Sequence, residues 1–451
     1  MNNGKNIIKA FYLLLILGFI GGCVTQPEST PIPSSSPIPT PASTPVPTDS
    51  PKQSEASIAA WRGDLNVLIT RMEEVHPNLY WRVAEEEVQT AVSHLNTQIP
   101  NLTDQEIIVE LARIVSLFDG HTHLPLFQPN VDFQLYPIRL YQFSNGLFVV
   151  DADEAYADLI GSQVMVISNT AIEEAFTAVS PIVPRDNEMT VQLLTPVYLT
   201  IPELLLALEI IDDVQQPGYV LQKPDGETVT VDLSPTKADA YRDWTALFIQ
   251  LAGLPAQPDS TFLRDRSENF WYMLLEDSQT IYIQYNLVQA QSSGLNLTNM
   301  LREVETAVNE NEIEQVVLDI RHNPGGNINV ATPIVTLFRD KAFLAQIDAL
   351  YVITGRQTFS AATLLSVDLE QQTPAIFAGE PTGGSPNLYG DVAPVRLPNT
   401  NILVMVSAIY WERSEPDDDR AWIEPTISVP LTSTDFFSGE DPVLKAIVDI
   451  D

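Results

Sequence analysis

Residues 354–363 read Thr354-Gly-Arg-Gln-Thr-Phe-Ser-Ala-Ala-Thr363, and they mark the place where an apolar run gives way to a helical pattern. The run at residues 349–354 is short and apolar, with β-branched side chains, which predicts a buried strand. Residues 361–370 carry apolar side chains at helical spacing, so Ser360 is predicted to lie at a strand-to-helix junction. There the unpaired N–H groups and the positive dipole end of the first helical turn favour an oxyanion. Ser360 is therefore either a nucleophile or an ordinary helix N-cap.

The chain around this junction alternates between strand and helix patterns, which predicts an α/β layer with a mainly parallel sheet over residues 241–451. The predicted strands cover residues 280–285, 315–320, 350–353, 375–378 and 402–407, and the predicted helices cover 296–310, 328–338 and 361–370. The second strand leads into Arg321-His-Asn-Pro-Gly-Gly-Asn327. The two glycines let backbone N–H groups converge on an anion, because no Cβ stands in the way.

The composition excludes several classes of function. The chain has 451 residues, enough for two or three domains. Its 59 acidic and 23 basic residues give a formal net charge of -36, which repels nucleic acid. A single cysteine rules out a disulfide framework or a thiolate metal site. The histidines, at positions 76, 94, 121, 123 and 322, form no HExxH pattern, and no glycine loop resembles a phosphate cradle, so no metal or other cofactor is expected.

The N-terminus has the pattern of a secretory signal. Lys5 and Lys9 precede an apolar run, residues 10–20, which is too short to span a bilayer as a helix. Gly21-Gly-Cys23 then resembles a bacterial lipobox, which implies that residues 1–23 are a lipoprotein signal peptide and that Cys23 is lipidated. An ordinary signal peptide with an incidental cysteine is the alternative. Residues 24–56 are mostly Pro, Ser and Thr, which predicts an extended tether on a membrane-anchored, extracytoplasmic protein.

Two further regions are predicted between the tether and the α/β layer. Residues 57–130 show helical periodicity and include the capping box Thr103-Asp-Gln-Glu106. His76 and His94 fall on these helices and are interpreted as ordinary surface or core residues. Residues 131–240 show short strands with turn signals, and they look like a degenerate PDZ-type module. A β-rich spacer without a ligand is the alternative, and either arrangement makes the chain an α+β multidomain protein.

Four motifs follow one another along the chain: Asp119-Gly-His-Thr122, Leu318-Asp-Ile-Arg-His-Asn-Pro-Gly-Gly326, Thr358-Phe-Ser-Ala-Ala362 and Gly379-Glu-Pro-Thr-Gly-Gly384. Together they resemble the S41 serine peptidases, which include the C-terminal processing (tail-specific) proteases and the tricorn-like peptidases. The resemblance covers about residues 57–451. It implies that residues 241–451 form a ClpP/crotonase-like catalytic core and that Ser360 is the nucleophile. It also implies an oxyanion hole made by the N–H groups of Gly325, Gly326 and Ala361.

The general base distinguishes the branches of this family. Tail-specific proteases carry a lysine where this chain has Ser385, and a hydroxyl cannot act as a base at neutral pH. The first motif resembles the histidine motif of the tricorn-like branch, which implies His121 as the base. His123 faces the same side if the segment is extended, so it is the alternative. For the group that orients the imidazole we select Asp419 and Glu412, from an acidic segment that is otherwise a solvated loop.

These patterns predict a membrane-anchored serine endopeptidase that cleaves peptides or protein tails outside the cytoplasm. One alternative is a lipoprotein with the S41 fold that binds peptides without cutting them, since Ser385 replaces one family base. Another is a serine esterase or β-lactam hydrolase. It is disfavoured because Ser360-Ala-Ala-Thr363 lacks the SxxK lysine and no GxSxG sequence is present.

Overall fold

The computed structural model describes residues 53–237, 251–275, 278–291 and 296–450. The predicted signal peptide, residues 1–23, and most of the predicted tether, residues 24–56, lie outside this described part. The described residues belong to one compact unit. No helix among them combines the length and the apolarity that are needed to cross a lipid bilayer.

The described residues form a mixed α and β structure. The helices are α1 Glu55–Val75, α2 Glu85–Gln98, α3 Asp104–Val115, α4 Ile172–Val179, α5 Glu188–Tyr198, α6 Pro202–Ala207, α7 Leu297–Glu310, α8 Thr332–Phe338, α9 Lys341–Leu344, α10 Ala361–Gln372, α11 Ser433–Ser438 and α12 Pro442–Val448. The strands are β1 Gln134–Leu135, β2 Ile138–Phe143, β3 Gly146–Ala152, β4 Gln163–Ile167, β5 Thr170–Ala171, β6 Tyr219–Gln222, β7 Thr228–Val231, β8 Thr236–Lys237, β9 Phe270–Leu275, β10 Thr280–Tyr285, β11 Gln315–Asp319, β12 Ala349–Thr354, β13 Ile376–Gly379, β14 Leu388–Arg396, β15 Leu403–Trp411 and β16 Ile427–Ser428.

The sheet that carries the candidate site has the strand order β16-β13-β12-β11-β10-β9. All neighbouring strands are parallel except β9, which runs antiparallel to β10. The predicted alternation of strands and helices is thus confirmed. Within β11, Val316 and Leu318 pack into a core with α7, α8 and α10, while Val317 packs on the other face against α12. Burial on both faces explains why these strands read as continuous apolar runs.

One predicted strand was assigned to the wrong sheet. Residues 402–407 belong to β15, which pairs antiparallel with β14 in a separate two-stranded hairpin instead of extending the parallel sheet. Val404 and Val406 are buried in the core that the hairpin shares with α1, α3 and β2–β4. The apolar run identified a strand correctly, but it contains no information on the identity of the neighbouring strand.

The hairpin is fastened to the N-terminal helices by a buried carboxylate. Asp64 of α1 accepts hydrogen bonds from the backbone N–H groups of Asn399, at 2.9 Å, and Thr400, at 2.8 Å.

The predicted capping box at Thr103 and Glu106 is present at the start of α3. A second sheet with the order β2-β3-β4-β6-β7 is antiparallel and packs in the same core. The candidate base and the candidate nucleophile are therefore carried by elements with different cores.

Candidate active site

Ser360 occupies the predicted junction between β12 and α10. Its backbone has φ 53° and ψ -125°, and a positive φ is rare for a residue with a side chain. Such a conformation costs on the order of 1–3 kcal/mol and is found mainly where function requires it. The Ser360 side chain makes no capping hydrogen bond to α10, so the interpretation as an ordinary N-cap is wrong.

A glycine turn lies directly against this serine. A Cβ added to Gly325 would stand 2.6 Å from the Ser360 Cβ, and one added to Gly326 would stand 2.4 Å from the Val288 carbonyl oxygen. The turn is held in place by Asn323, whose carbonyl oxygen accepts a hydrogen bond from the Phe359 N–H at 3.1 Å. Only glycine fits these two positions, because any side chain would collide with neighbouring backbone or with Ser360.

The three predicted oxyanion donors differ in their partners. The Gly325 N–H already donates to Asn323 Oδ1 at 3.0 Å. Within the described part of the chain, the N–H groups of Gly326 and Ala361 have no protein acceptor. Ala361 is the first residue of α10, where N–H groups have no partner within the helix. Gly326 and Ala361 are thus the donors available to an oxyanion beside Ser360, whereas Gly325 supports the turn.

His121 shares a cavity with Ser360. The cavity has a volume of about 370 Å³, and both side chains line it together with His123 and Phe359. The imidazole of His121 stacks on the ring of Phe359, with 4.5 Å between ring centroids, and Phe359 directly precedes Ser360 in the chain. His123 Nδ1 pairs with the His121 carbonyl oxygen at 2.8 Å, and its backbone pairs with Met405 of the hairpin. The chain is therefore extended at His123, and both histidines reach the same cavity.

A buried hydrogen-bond network supports the His121 segment. Asp119 Oδ1 accepts bonds from the N–H of His121 at 3.0 Å, the N–H of Thr122 at 2.9 Å and the Ser407 hydroxyl at 2.7 Å. Asp119 Oδ2 pairs with His76 Nε2 at 3.0 Å. Because His76 Nδ1 accepts the Asn78 N–H at 3.1 Å, the ring proton is on Nε2, and His76 donates to Asp119. His76 is thus a buried core residue, one of the two settings expected for it, and it also holds the carboxylate that precedes His121.

The electrostatics of the site follow from its burial. Desolvation lowers the pKa of His121 to about 4, although the charges of Asp119 and Asp391 oppose this shift. Burial acts to raise the pKa of Asp119, but the hydrogen bonds from His76 and Ser407 outweigh it, so this pKa is lowered. His121 is consequently neutral at pH 7, which is the form that accepts a proton, and Asp119 is ionised beside it.

The structure does not bring every predicted residue to the cavity. Glu412 and Asp419 are exposed, and neither lines the cavity that holds Ser360 and His121. Ser385 donates to the Ala421 carbonyl at 3.0 Å and also lies outside the cavity lining. Among the described acidic groups, Asp119 and Asp186 are the ones close to the His121 imidazole, although neither hydrogen-bonds to a ring nitrogen. The signal for Asp119 was already present in the first motif, two residues before the histidine.

Sequence reasoning missed one neighbour of this network. Asp186 lies in the segment before α5, and its Oδ1 accepts the Gly120 N–H at 2.8 Å. Burial and the charge of Asp119 raise the pKa of Asp186 to about 7. A Cβ on Gly120 would approach the Asp186 backbone nitrogen to 2.9 Å, so the glycine permits this contact. No motif in the sequence marks Asp186, because the contact joins segments 66 residues apart.

Comparison with known proteins confirms the predicted resemblance. The model described as Peptidase family S41 matches residues 279–349, a segment that contains β10, α7, β11 and the glycine turn but neither Ser360 nor His121. This match supports a peptidase, that is, a hydrolase acting on peptides or proteins. No curated protein sequence matches the chain significantly.

Solved structures show the same fold at low sequence identity. The structure of mature CPAF complexed with lactacystin is 12% identical, with a TM-score of 0.59 over 87% of this chain and 97% of that chain. Mature CPAF is 13% identical, with a TM-score of 0.59 over 87% of this chain and 96% of that chain. A photosystem II D1 C-terminal processing protease is 13% identical over 81% of this chain and 93% of that chain, but its TM-score of 0.38 supports no argument.

Proposed function

We propose that this relative of the S41 peptidases is a membrane-anchored, extracytoplasmic serine endopeptidase that hydrolyses peptide bonds in peptides or protein tails. One observation carries the proposal: Ser360, in a strained conformation that no capping bond explains, lines the same cavity as a half-buried, neutral His121. A nucleophile and a base in one cavity are what acyl transfer requires.

The proposed reaction starts when the Ser360 hydroxyl attacks the scissile carbonyl and His121 takes its proton. The negative charge that develops on the carbonyl oxygen is stabilised by the N–H groups of Gly326 and Ala361. His121, now an imidazolium stabilised by Asp119, then gives the proton to the departing amine, which leaves an acyl-enzyme. Water deprotonated by His121 hydrolyses the ester and restores Ser360.

The cavity also indicates which peptide side chains fit. Its wall beyond the two catalytic candidates is mainly apolar and includes Leu124, Leu126, Leu193, Leu194 and Met405. Such a wall favours an apolar substrate side chain, because burial of apolar surface stabilises the complex by about 25 cal/mol per Å². We therefore propose that cleavage occurs beside apolar residues.

A fluorophosphonate probe tests the nucleophile directly, because it reacts only with an activated serine. The wild-type protein at pH 7 is expected to be labelled, and Ser360→Ala is expected to show no labelling. Ser385→Ala is the matched control, because it removes the same hydroxyl at the family's base position and should label normally. A folded wild-type protein that is not labelled would instead favour the peptide-binding alternative, and labelling of Ser360→Ala would exclude Ser360.

The proposed membrane anchor is tested at Cys23, which lies outside the described residues. We expect Cys23→Ala to release the protein from membranes or to leave it as unprocessed precursor, because one lipidated cysteine is the proposed attachment. Fractionation with detergent extraction and the mass of the mature N-terminus are the measurements. A variant that still appears as mature, detergent-extractable protein would contradict the lipobox interpretation.

A further inference from the structure

Three side chains beside the cavity form a cluster of potential metal ligands. Asp119, His121 and Asp186 each offer one ligand atom, and these atoms lie within 4.8 Å of one another. They come from two separate segments: the turn after α3 and the loop before α5. The Gly120 N–H, which donates to Asp186, ties the two segments together at 2.8 Å. This hydrogen bond holds the two segments next to each other, and none of the three ligand side chains is an exposed surface residue.

Three polar side-chain atoms of this cluster lack partners. Both ring nitrogens of His121 are buried without a hydrogen bond, and so is Asp186 Oδ2. A buried polar atom without a partner costs about 1–3 kcal/mol, more if it is charged. Asp119 Oδ2 has one hydrogen bond, from His76, although a carboxylate oxygen has room for a second partner. A cation placed among these atoms would satisfy all three residues at once.

We propose that Asp119, His121 and Asp186 bind a divalent transition-metal ion, and that Zn²⁺ is the ion that fits. One imidazole and two carboxylates suit Zn²⁺, whereas Ca²⁺ and Mg²⁺ prefer sites made only of oxygen ligands. In a tetrahedral Zn²⁺ site the ligand atoms are about 3.3 Å apart, so the cluster contracts on binding. The His76 bond to Asp119 orients a ligand carboxylate, as partners outside a metal's ligand shell commonly do.

If the proposed function is correct, Zn²⁺ bound to Asp119, His121 and Asp186 changes the activity of the enzyme. A Zn²⁺ ion on His121 takes the lone pair with which the imidazole accepts the Ser360 proton. The metal therefore inhibits the peptidase and does not assist it. Bound Zn²⁺ and an active base exclude each other, so the same histidine makes the enzyme sensitive to free zinc.

Metal binding is tested separately from activity with the full Ser360→Ala protein, freed of metal by chelator and titrated calorimetrically with Zn²⁺. We expect one site, and at least a tenfold lower affinity in Ser360→Ala/Asp186→Asn, whose Asn Oδ1 can still accept the Gly120 N–H. Ser360→Ala/Asp391→Asn is the matched control: Asp391 also acts electrostatically on His121 but is exposed and outside the cluster. Its φ of 49° suits asparagine, so its Zn²⁺ affinity should stay within about twofold.

The outcomes separate the metal site from the peptidase. Absence of Zn²⁺ binding to folded protein, or equal affinity with and without Asp186, overturns the site. A different combination would support the metal site and contradict only the peptidase proposal. In that case Zn²⁺ binds at one site, Asp186→Asn weakens this binding, and the fluorophosphonate probe does not label the wild type. If wild type is labelled, Zn²⁺ should slow labelling, and undiminished labelling at saturating Zn²⁺ overturns the placement of the ion on His121.

Discussion

Replacing His121 by alanine is expected to lower kcat/KM by about 10²–10⁴-fold, because it removes the imidazole that is proposed to accept the Ser360 proton. His123→Ala is the matched control. It removes a second imidazole from the same cavity two residues away, and its effect should be mild, since His123 is engaged with the His121 carbonyl. Steady-state hydrolysis of a peptide and circular dichroism of each variant are the measurements. An inactive His123→Ala beside an active His121→Ala would show that the motif was assigned to the wrong histidine.

The pH profile reports on the same base. A general base acts in its neutral form, and burial lowers the pKa of His121 to about 4. Activity should therefore rise with pH through about 4 and be level by pH 6.5, whereas an unperturbed histidine would place the rise near 6.5. The profile is measured with chelator present and with circular dichroism at each pH. A rise centred at 6.5 or above would contradict the burial of the base.

The variant Asp186→Asn tests whether the inflection near pH 4 belongs to His121. Burial raises the pKa of Asp186 to about 7, well above the pKa of His121. In Asp186→Asn the inflection near 4 should persist. The other charged groups that act on His121 are Asp119, His123 and Asp391. Loss of the inflection near 4 in Asp186→Asn would show that the rise belongs to the carboxylates rather than to the imidazole.

Replacing Gly326 by alanine is expected to lower kcat by about 10²–10³-fold with a much smaller change in KM. The added Cβ would stand 2.4 Å from the Val288 carbonyl oxygen, so the turn must move and the Gly326 N–H is aimed away from the oxyanion. The negative charge on the oxyanion exists only in the transition state, so the substitution lowers kcat more than it weakens substrate binding. Single-turnover kinetics with an ester substrate separate the two effects.

The control for Gly326 is Gly226→Ala. Gly226 also has a positive φ, of 91°, but a Cβ there would meet nothing within 4 Å, and it lies in the turn between β6 and β7. This variant carries the cost of a strained backbone without touching the site, so its kcat should equal that of the wild type. An equal loss of kcat in both variants, or an equal change in kcat and KM for Gly326→Ala, would remove Gly326 from the oxyanion hole.

Local patterns in the sequence predicted the local parts of this site. The position of Ser360 between β12 and α10 followed from a change of periodicity, and the glycine turn followed from Gly325 and Gly326 themselves. Each of these features depends on a few consecutive residues. The strand β10 was predicted with its observed bounds for the same reason.

Features that depend on distant contacts were not predictable in this way. The contact of His76 with Asp119 and the approach of Asp186 to Gly120 join segments whose local patterns say nothing about their partners. The pairing of β15 with β14 is local, but it was missed because no strand was predicted over residues 388–396. Glu412 and Asp419 were selected because they stand in an acidic segment. The structure shows that neither carboxylate lines the cavity that holds His121.

The Ser407 hydroxyl reaches Asp119 across 288 residues of chain, and this span determines when the site can first exist. Chains are synthesised from the N-terminus, so Asp119 and His121 emerge long before Ser360 and the β14–β15 hairpin. Contacts of such high sequence separation form late, because a long loop must close before they contribute. A growing chain therefore has no assembled site until Ser360 and Ser407 have both been synthesised and have reached the segment that carries Asp119 and His121.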